Sequence, residues 1–231
     1  MNPIKERHRP QAAGGDSSRE DLFYFGGLAG IQRDYNVMMV DLPGQGKLPG
    51  RGLTFRYDTE KPVSAVVDWL ATRQLFTPGR LAIFGVSGGG YFTARAVAYE
   101  KRINAWIAST PIINLFLVFE REMPKAVMSG PGWFRRLLIR LASSSSKATE
   151  VNIKKYLWQA GVASYDEGMD KIVRPAVVDP QDITCACLFM LGENEAGELI
   201  RQTEELYDCL KSNPLNRLRR FGALESGDAH C

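Results

Sequence analysis

Apolar and polar positions along the chain switch between two periods. Continuous apolar runs at Tyr35 to Asp41, Leu81 to Val86, Ile103 to Ser109 and Ile183 to Leu191 have the length of buried strands. Between them, apolar residues recur at spacings of three and four. Leu22, Phe23, Phe25, Leu28, Ala29 and Ile31 do so across residues 19–33, and Val63, Val66, Val67 and Leu70 do so further on. Tyr91 to Arg102 and Leu199 to Leu210 have the same helical character, and Leu218 to Phe221 reads as a final short strand. From residue 19 to residue 109 the order is helix, strand, helix, strand, helix, strand. That alternation predicts an α/β fold, a mostly parallel sheet with helices on both faces. Ligands of such sheets sit beyond the carboxyl ends of the strands. Asp41, Ser87 and Thr110 fall at those ends.

From about 111 to 182 the alternation stops. Leu115, Phe116, Val118 and Phe119, then Trp133, Leu137, Leu138 and Leu141, then Tyr156, Leu157 and Trp158 suggest amphipathic helices. Gly130-Pro131-Gly132 and the serine run 143–146 separate them, the latter as a flexible connector. We expect one domain over 1–231, with a helical lid inserted at about 111–182. Residues 1–13 read as an irregular lead-in. Ser17 and Glu20 have the spacing of a capping box opening the first helix. The Gly14-Gly15 loop before it offers backbone N–H groups to an anion, or is a plain loop-to-helix joint.

Composition narrows the class. Over 231 residues, 45% hydrophobic and 24% charged content suits a globular core, and a net charge of +3 gives no case for nucleic acid. Arg217, Arg219 and Arg220 read as a solvated strand face. The cysteines at 185, 187, 209 and 231 match no common zinc spacing and predict buried reduced thiols, with no metal. The N-terminus lacks an apolar segment of signal-peptide type, and no run is long enough to span a membrane. The expected setting is cytoplasmic.

The candidate chemistry centres on Gly85-Val86-Ser87-Gly88-Gly89. A strand precedes this Gly-x-Ser-x-Gly pattern and a helix follows it. That is the context of a nucleophile elbow, in which a strained turn exposes a serine hydroxyl above the sheet. Gly85 and Gly89 are expected to make room for the turn. A serine hydroxyl needs an adjacent base. Of the two histidines, His8 lies in the polar lead-in, which leaves His230. Glu195, three residues past Gly192, is the preferred acid to orient that histidine, with Glu193 and Asp228 as rivals. Nucleophile, acid, histidine is then the chain order. Gly88, directly after the nucleophile, offers one oxyanion N–H, and the Gly15 region is the natural source of a second.

These pieces resemble the α/β-hydrolases related to 2,6-dihydroxypseudooxynicotine hydrolase and to the fungal polyketide-shortening hydrolases of pigment pathways. The resemblance runs through Gly14 to Asp21, Asp41-Leu42-Pro43-Gly44-Gln45-Gly46, Gly85 to Tyr91, Gly192 to Glu195 and Gly227-Asp228-Ala229-His230-Cys231. It implies serine-dependent, cofactor-free hydrolysis of a ketone C–C bond or an ester in a small molecule of secondary metabolism. It also implies a helical lid and often a homodimer. Members of the group carry a longer N-terminal region, a closing helix after the histidine, and usually an aspartate as the acid. The first strands of the fold are therefore expected to be missing here. The other reading is a non-catalytic remnant or binding protein that keeps the elbow.

Overall fold

The computed structural model describes residues 7–12, 18–122 and 130–225. Six parallel strands form one sheet in the order β2-β1-β3-β4-β5-β6. They are β1 (Arg7–Ala12), β2 (Tyr35–Val40), β3 (Ala82–Val86), β4 (Ala105–Ser109), β5 (Ala186–Gly192) and β6 (Arg217–Phe221). Four of them match apolar runs, and β6 matches the short final strand. The exception is β1, in the stretch expected to be irregular. Arg-His-Arg-Pro-Gln-Ala carries no strand periodicity. It is a strand because it ladders with β2 along its whole length and with β3 at Gln11 and Ala12. Pro10 lies where only one neighbour is paired, the position that tolerates a missing N–H.

Helices make the crossovers that parallel strands require. Residues 19–31 run from α1 (Arg19–Leu22) through a π-helical turn (Phe23–Gly27) into α2 (Leu28–Ile31). The cap is one residue later than expected. The Ser18 backbone N–H donates to the Asp21 carboxylate at 2.8 Å, while Ser17 lies outside the described residues. Next come α3 (Glu60–Thr72) and α4 (Gly88–Tyr99). In β3, Ile83, Phe84, Gly85 and Val86 are all buried. Consecutive strand residues point to opposite faces, so this strand is covered on both sides. Trp106 and Phe189 on β4 and β5 meet edge to face at 5.2 Å in the core.

Between β4 and β5 the described residues are mostly helical, as expected for 111–182. They form α5 (Leu115–Glu122), α6 (Gly132–Ser145), α7 (Lys147–Ala160) and α8 (Tyr165–Gly168), the last running into a π turn (Met169–Val173). The serine run ends α6 and caps α7 instead of forming a loop, with the Ser146 hydroxyl accepting from the Thr149 N–H. The last helix, α9 (Gly197–Leu210), leads to β6. There the arginines are occupied: Arg219 pairs with Glu225 and Arg220 with Glu204.

Candidate active site

The strand order locates a crevice. From β1 the chain moves to one side, to β2, and then crosses back to β3 on the other side of β1. The reversal lies between β1 and β3, and ligands of open parallel sheets collect at the carboxyl edge of such a switch point. Ser87 leaves β3 at that edge. Ala12 pairs in register with Gly85, so β1 ends beside the elbow, just before the Gly14-Gly15 segment.

Ser87 has φ 53° and ψ −123°, a conformation L residues avoid at a cost of about 1–3 kcal/mol. Its surroundings impose this turn. The Ser87 N–H donates to the Ser109 carbonyl at 3.2 Å, extending the β3–β4 ladder by one bond. Its carbonyl accepts from the Gly90 N–H at 2.7 Å, which starts α4. Strand and helix approach so closely that two glycines are obligatory. A β-carbon on Gly85 would lie 2.3 Å from the Gly89 carbonyl oxygen, and one on Gly90 would lie 2.2 Å from that of Thr110. Gly90 is thus crowded as well as the expected Gly85, and Gly89 supplies the carbonyl that crowds Gly85. The next strand also ends in strain, with buried Thr110 at φ 63°.

A buried hydrogen-bond chain fixes the first turn of α4. The Trp106 indole N–H donates to the Thr93 hydroxyl at 2.8 Å, and that hydroxyl donates to the Gly89 carbonyl at 2.7 Å. Thr93 and Trp106 are fully buried. Gly88 opens this helix, where N–H groups point outward and the helix dipole is positive. The sequence singled out neither Thr93 nor Trp106, because their contact joins different elements.

Asp41 directly follows β2 and accepts the Arg19 N–H at 2.7 Å, tethering the start of α1 just beyond the Gly14-Gly15 segment. The loop after Asp41 folds on itself. The fully buried Gln45 side chain accepts from the Leu42 N–H at 2.8 Å. The loop then reaches α4, where the Tyr91 hydroxyl donates to the Tyr57 carbonyl at 2.5 Å and Phe55 packs on Phe92. Burial drives the Tyr91 hydroxyl pKa far above its usual value. Between this loop and the end of α7 lies an open cleft of about 480 Å³. Leu53, Phe55, Val162 and Ile172 give it apolar walls, and Arg56, Asp58 and Lys171 polar ones.

Glu195 lies in the turn after β5 and is half-buried, with its N–H toward the Gly192 carbonyl at 3.4 Å. Glu193 is exposed and lies against Gly222, just past β6. Ser87, Gly88 and Glu195 therefore all stand at the carboxyl edge of the sheet. Gly15, Asp228 and His230 lie outside the described residues. Among the described residues no group of three or more His, Cys, Asp or Glu side chains could hold a metal ion, and no helix is long and apolar enough to cross a membrane.

Comparison with known proteins places this arrangement. A family model for the alpha/beta hydrolase fold matches residues 13–178. The 20-hydroxy-prefusarin hydrolase of Gibberella moniliformis is 34% identical over 168 residues, covering 69% of this chain and 39% of that protein. An alpha/beta hydrolase of Xenoacremonium sinensis is 28% identical over 216 residues, covering 84% of this chain and 50% of that protein. The chain thus spans half or less of the length of these curated relatives. The crystal structure of 2,6-dihydroxy-pseudo-oxynicotine hydrolase superposes with a TM-score of 0.69 at 18% identity, covering all of this chain and 56% of that one.

Proposed function

The chain belongs to the alpha/beta-hydrolase fold family, and on that premise we propose that it is a serine hydrolase acting on a carbonyl compound. The observation that carries the reading is the backbone of Ser87, a non-glycine residue held at φ 53° between a buried strand and a helix N-terminus. Strain of this kind persists only where the surroundings enforce it.

In this mechanism the Ser87 hydroxyl attacks the substrate carbonyl while His230 takes its proton. The oxyanion accepts hydrogen bonds from the N–H groups of Gly88 and Gly15. Glu195 orients His230 and balances the imidazolium charge. The carbonyl re-forms as its bond to the leaving group breaks, and His230 returns the proton to the departing alkoxide, or to the enolate if a C–C bond is cleaved. Water, deprotonated by His230, then releases the acyl group from Ser87. The chemistry uses no cofactor.

The substrate in this reading is a polyketide-like or aromatic small molecule with a ketone or ester. Support comes from the relatives, one named a 20-hydroxy-prefusarin hydrolase, and from the partly apolar cleft between the loop after β2 and the end of α7. The helical segment after β4 acts as a lid. The reading sets the protein in the cytosol, where thiols stay reduced, in line with unbridged Cys185, Cys187 and Cys209. It also includes a homodimer. Trp133, Leu137 and Leu141 recur every four residues along α6 and stand exposed, a stripe that pairing would cover.

A fluorophosphonate probe tests the reading. The folded protein should be labelled covalently, and the Ser87→Ala variant should not. A folded protein that takes up no label at Ser87 would overturn the hydrolase reading in favour of a binding protein built on the same scaffold.

A further inference from the structure

The two ends of the helical segment between β4 and β5 meet in a neck. The Leu115 N–H donates to the Ala176 carbonyl at 3.0 Å, and the Val178 N–H donates to the Ile113 carbonyl at 2.8 Å. Outgoing and returning strands of the neck are thereby zipped together, with Asn114 opposite Val177 in an antiparallel bridge.

One side chain from α9 holds this neck. Gln202 is 1% exposed, and all four hydrogen-bonding positions of its amide are filled. Its oxygen accepts from the N–H groups of Ile113 and Asn114, both at 2.9 Å. Its nitrogen donates to the Asn114 carbonyl and to the Glu198 carboxylate, both at 2.9 Å. The Glu198 side chain is wholly buried and lies 2.5 Å from Arg201 of its own helix and 3.4 Å from Arg121 of α5. The opposite flank is tied to α4, where Arg95 donates to the Val177 carbonyl at 3.0 Å. The neck is therefore bolted to two helices. One begins directly after Ser87 and the other follows Glu195 within two residues.

We infer that Gln202 and Glu198 are positioning residues, a clamp that fixes the helical segment, through its neck and through Arg121, relative to the turn carrying Glu195. The middle of the segment is tied to the loop after β2, where the Phe55 N–H donates to the Gln159 carbonyl at 2.8 Å, but its α5 end depends on the neck, and nothing in the requirements of the sheet asks α9 to bury a glutamate and a glutamine against it. The clamp sets the height of the lid over the strand ends. Its consequence for turnover rests on the serine-hydrolase reading above.

The test has two arms. In the first, amide hydrogen exchange is followed in wild type and Gln202→Met. The methionine fills the volume but leaves the Ile113 and Asn114 N–H groups without their buried acceptor. Exchange at Ile113, Asn114 and Val178 should quicken by about tenfold or more, while Ile83 to Val86 stay protected. Equal neck exchange in the two proteins overturns the clamp. This arm needs no catalysis. In the second arm, Arg121→Ala, an exposed change, is assayed with a p-nitrophenyl ester. KM should rise about threefold to tenfold with kcat and Ser87 labelling within about twofold, and Arg121→Lys should restore KM. A KM equal to wild type, or a parallel loss of kcat and melting temperature, overturns the coupling to lid position. Absence of ester hydrolysis and of Ser87 labelling in wild type would instead overturn the hydrolase reading, leaving the exchange arm to decide the clamp.

Discussion

The carbonyl oxygen of Thr110 stands 2.2 Å from where a β-carbon on Gly90 would be. Two backbones, the first turn of α4 and the end of β4, touch with no room for a methyl group, and neither can give way as a flexible side chain would. Gly90→Ala should therefore destabilise the fold by about 2–3 kcal/mol, at the upper end of overpacking costs, and should abolish fluorophosphonate labelling. Urea denaturation gives the first quantity and gel fluorescence the second. A variant of wild-type stability would mean that the contact is looser than it stands.

Strain at Ser87 separates two substitutions that both remove the hydroxyl. Alanine must still adopt φ 53°, whereas glycine does so freely. Ser87→Gly should exceed Ser87→Ala in stability by about 1 kcal/mol, the relief of strain less the backbone entropy of glycine. Both should be inactive. Chemical denaturation of the pair gives the difference directly, and an equal or reversed order would argue that the turn is unstrained.

Thr93 both accepts from Trp106 and donates to Gly89 within a fully buried core. Thr93→Val keeps the shape and deletes both bonds, stranding an indole N–H. The expected loss is about 1–3 kcal/mol, a fall in melting temperature on the order of 2–10 °C for a chain of this size. Thr93→Ser keeps the hydroxyl and should recover most of the bonded contribution.

Asp58 supplies a pH signature. Arg56, bonded through two nitrogens at 2.5 and 2.8 Å, holds the Asp58 carboxyl well below the usual carboxylate range, with Lys61 adding to the effect. The folded-state pKa is thus depressed relative to the unfolded one. The stabilisation is fully present above the unfolded value of about 3.9 and is lost as pH falls below it toward the folded value. Wild type should exceed Asp58→Asn in stability at neutral pH, and the gap should close progressively below about pH 4. A gap that stays constant through that range would show that Asp58 contributes by packing and not by charge.

The sequence by itself determined the elements whose stability is local or patterned. The strands β2 to β5 are legible as apolar runs, although β2 at the sheet edge is only partly buried, and α3 and α9 are legible as amphipathic periods. The elbow is legible because its chemistry and its sterics are written in adjacent residues: a serine flanked by the glycines that a strand-to-helix turn demands. The sequence also offered candidates for acid and base, Glu195 from its place after a strand and His230 by elimination. Those inferences needed only spacing along the backbone.

Tertiary structure alone decided the rest. Arg7 to Ala12 is a strand because β2 and β3 offer it partners, and hydrogen bonds to neighbours leave no trace in side-chain periodicity. The helix cap moved from Ser17 to Ser18, since Ser and an acid three residues apart occur in both registers and the fold selects one. Gly90 joined the expected Gly85 as an obligatory glycine because the atom that forbids a β-carbon there belongs to Thr110, across the sheet edge. Gln202 clamps Ile113 and Asn114 across 88 or more positions of sequence. A glutamine on a helix looks the same in sequence whether it faces water or a neck of backbone, and only folding brings the partner that gives it a role.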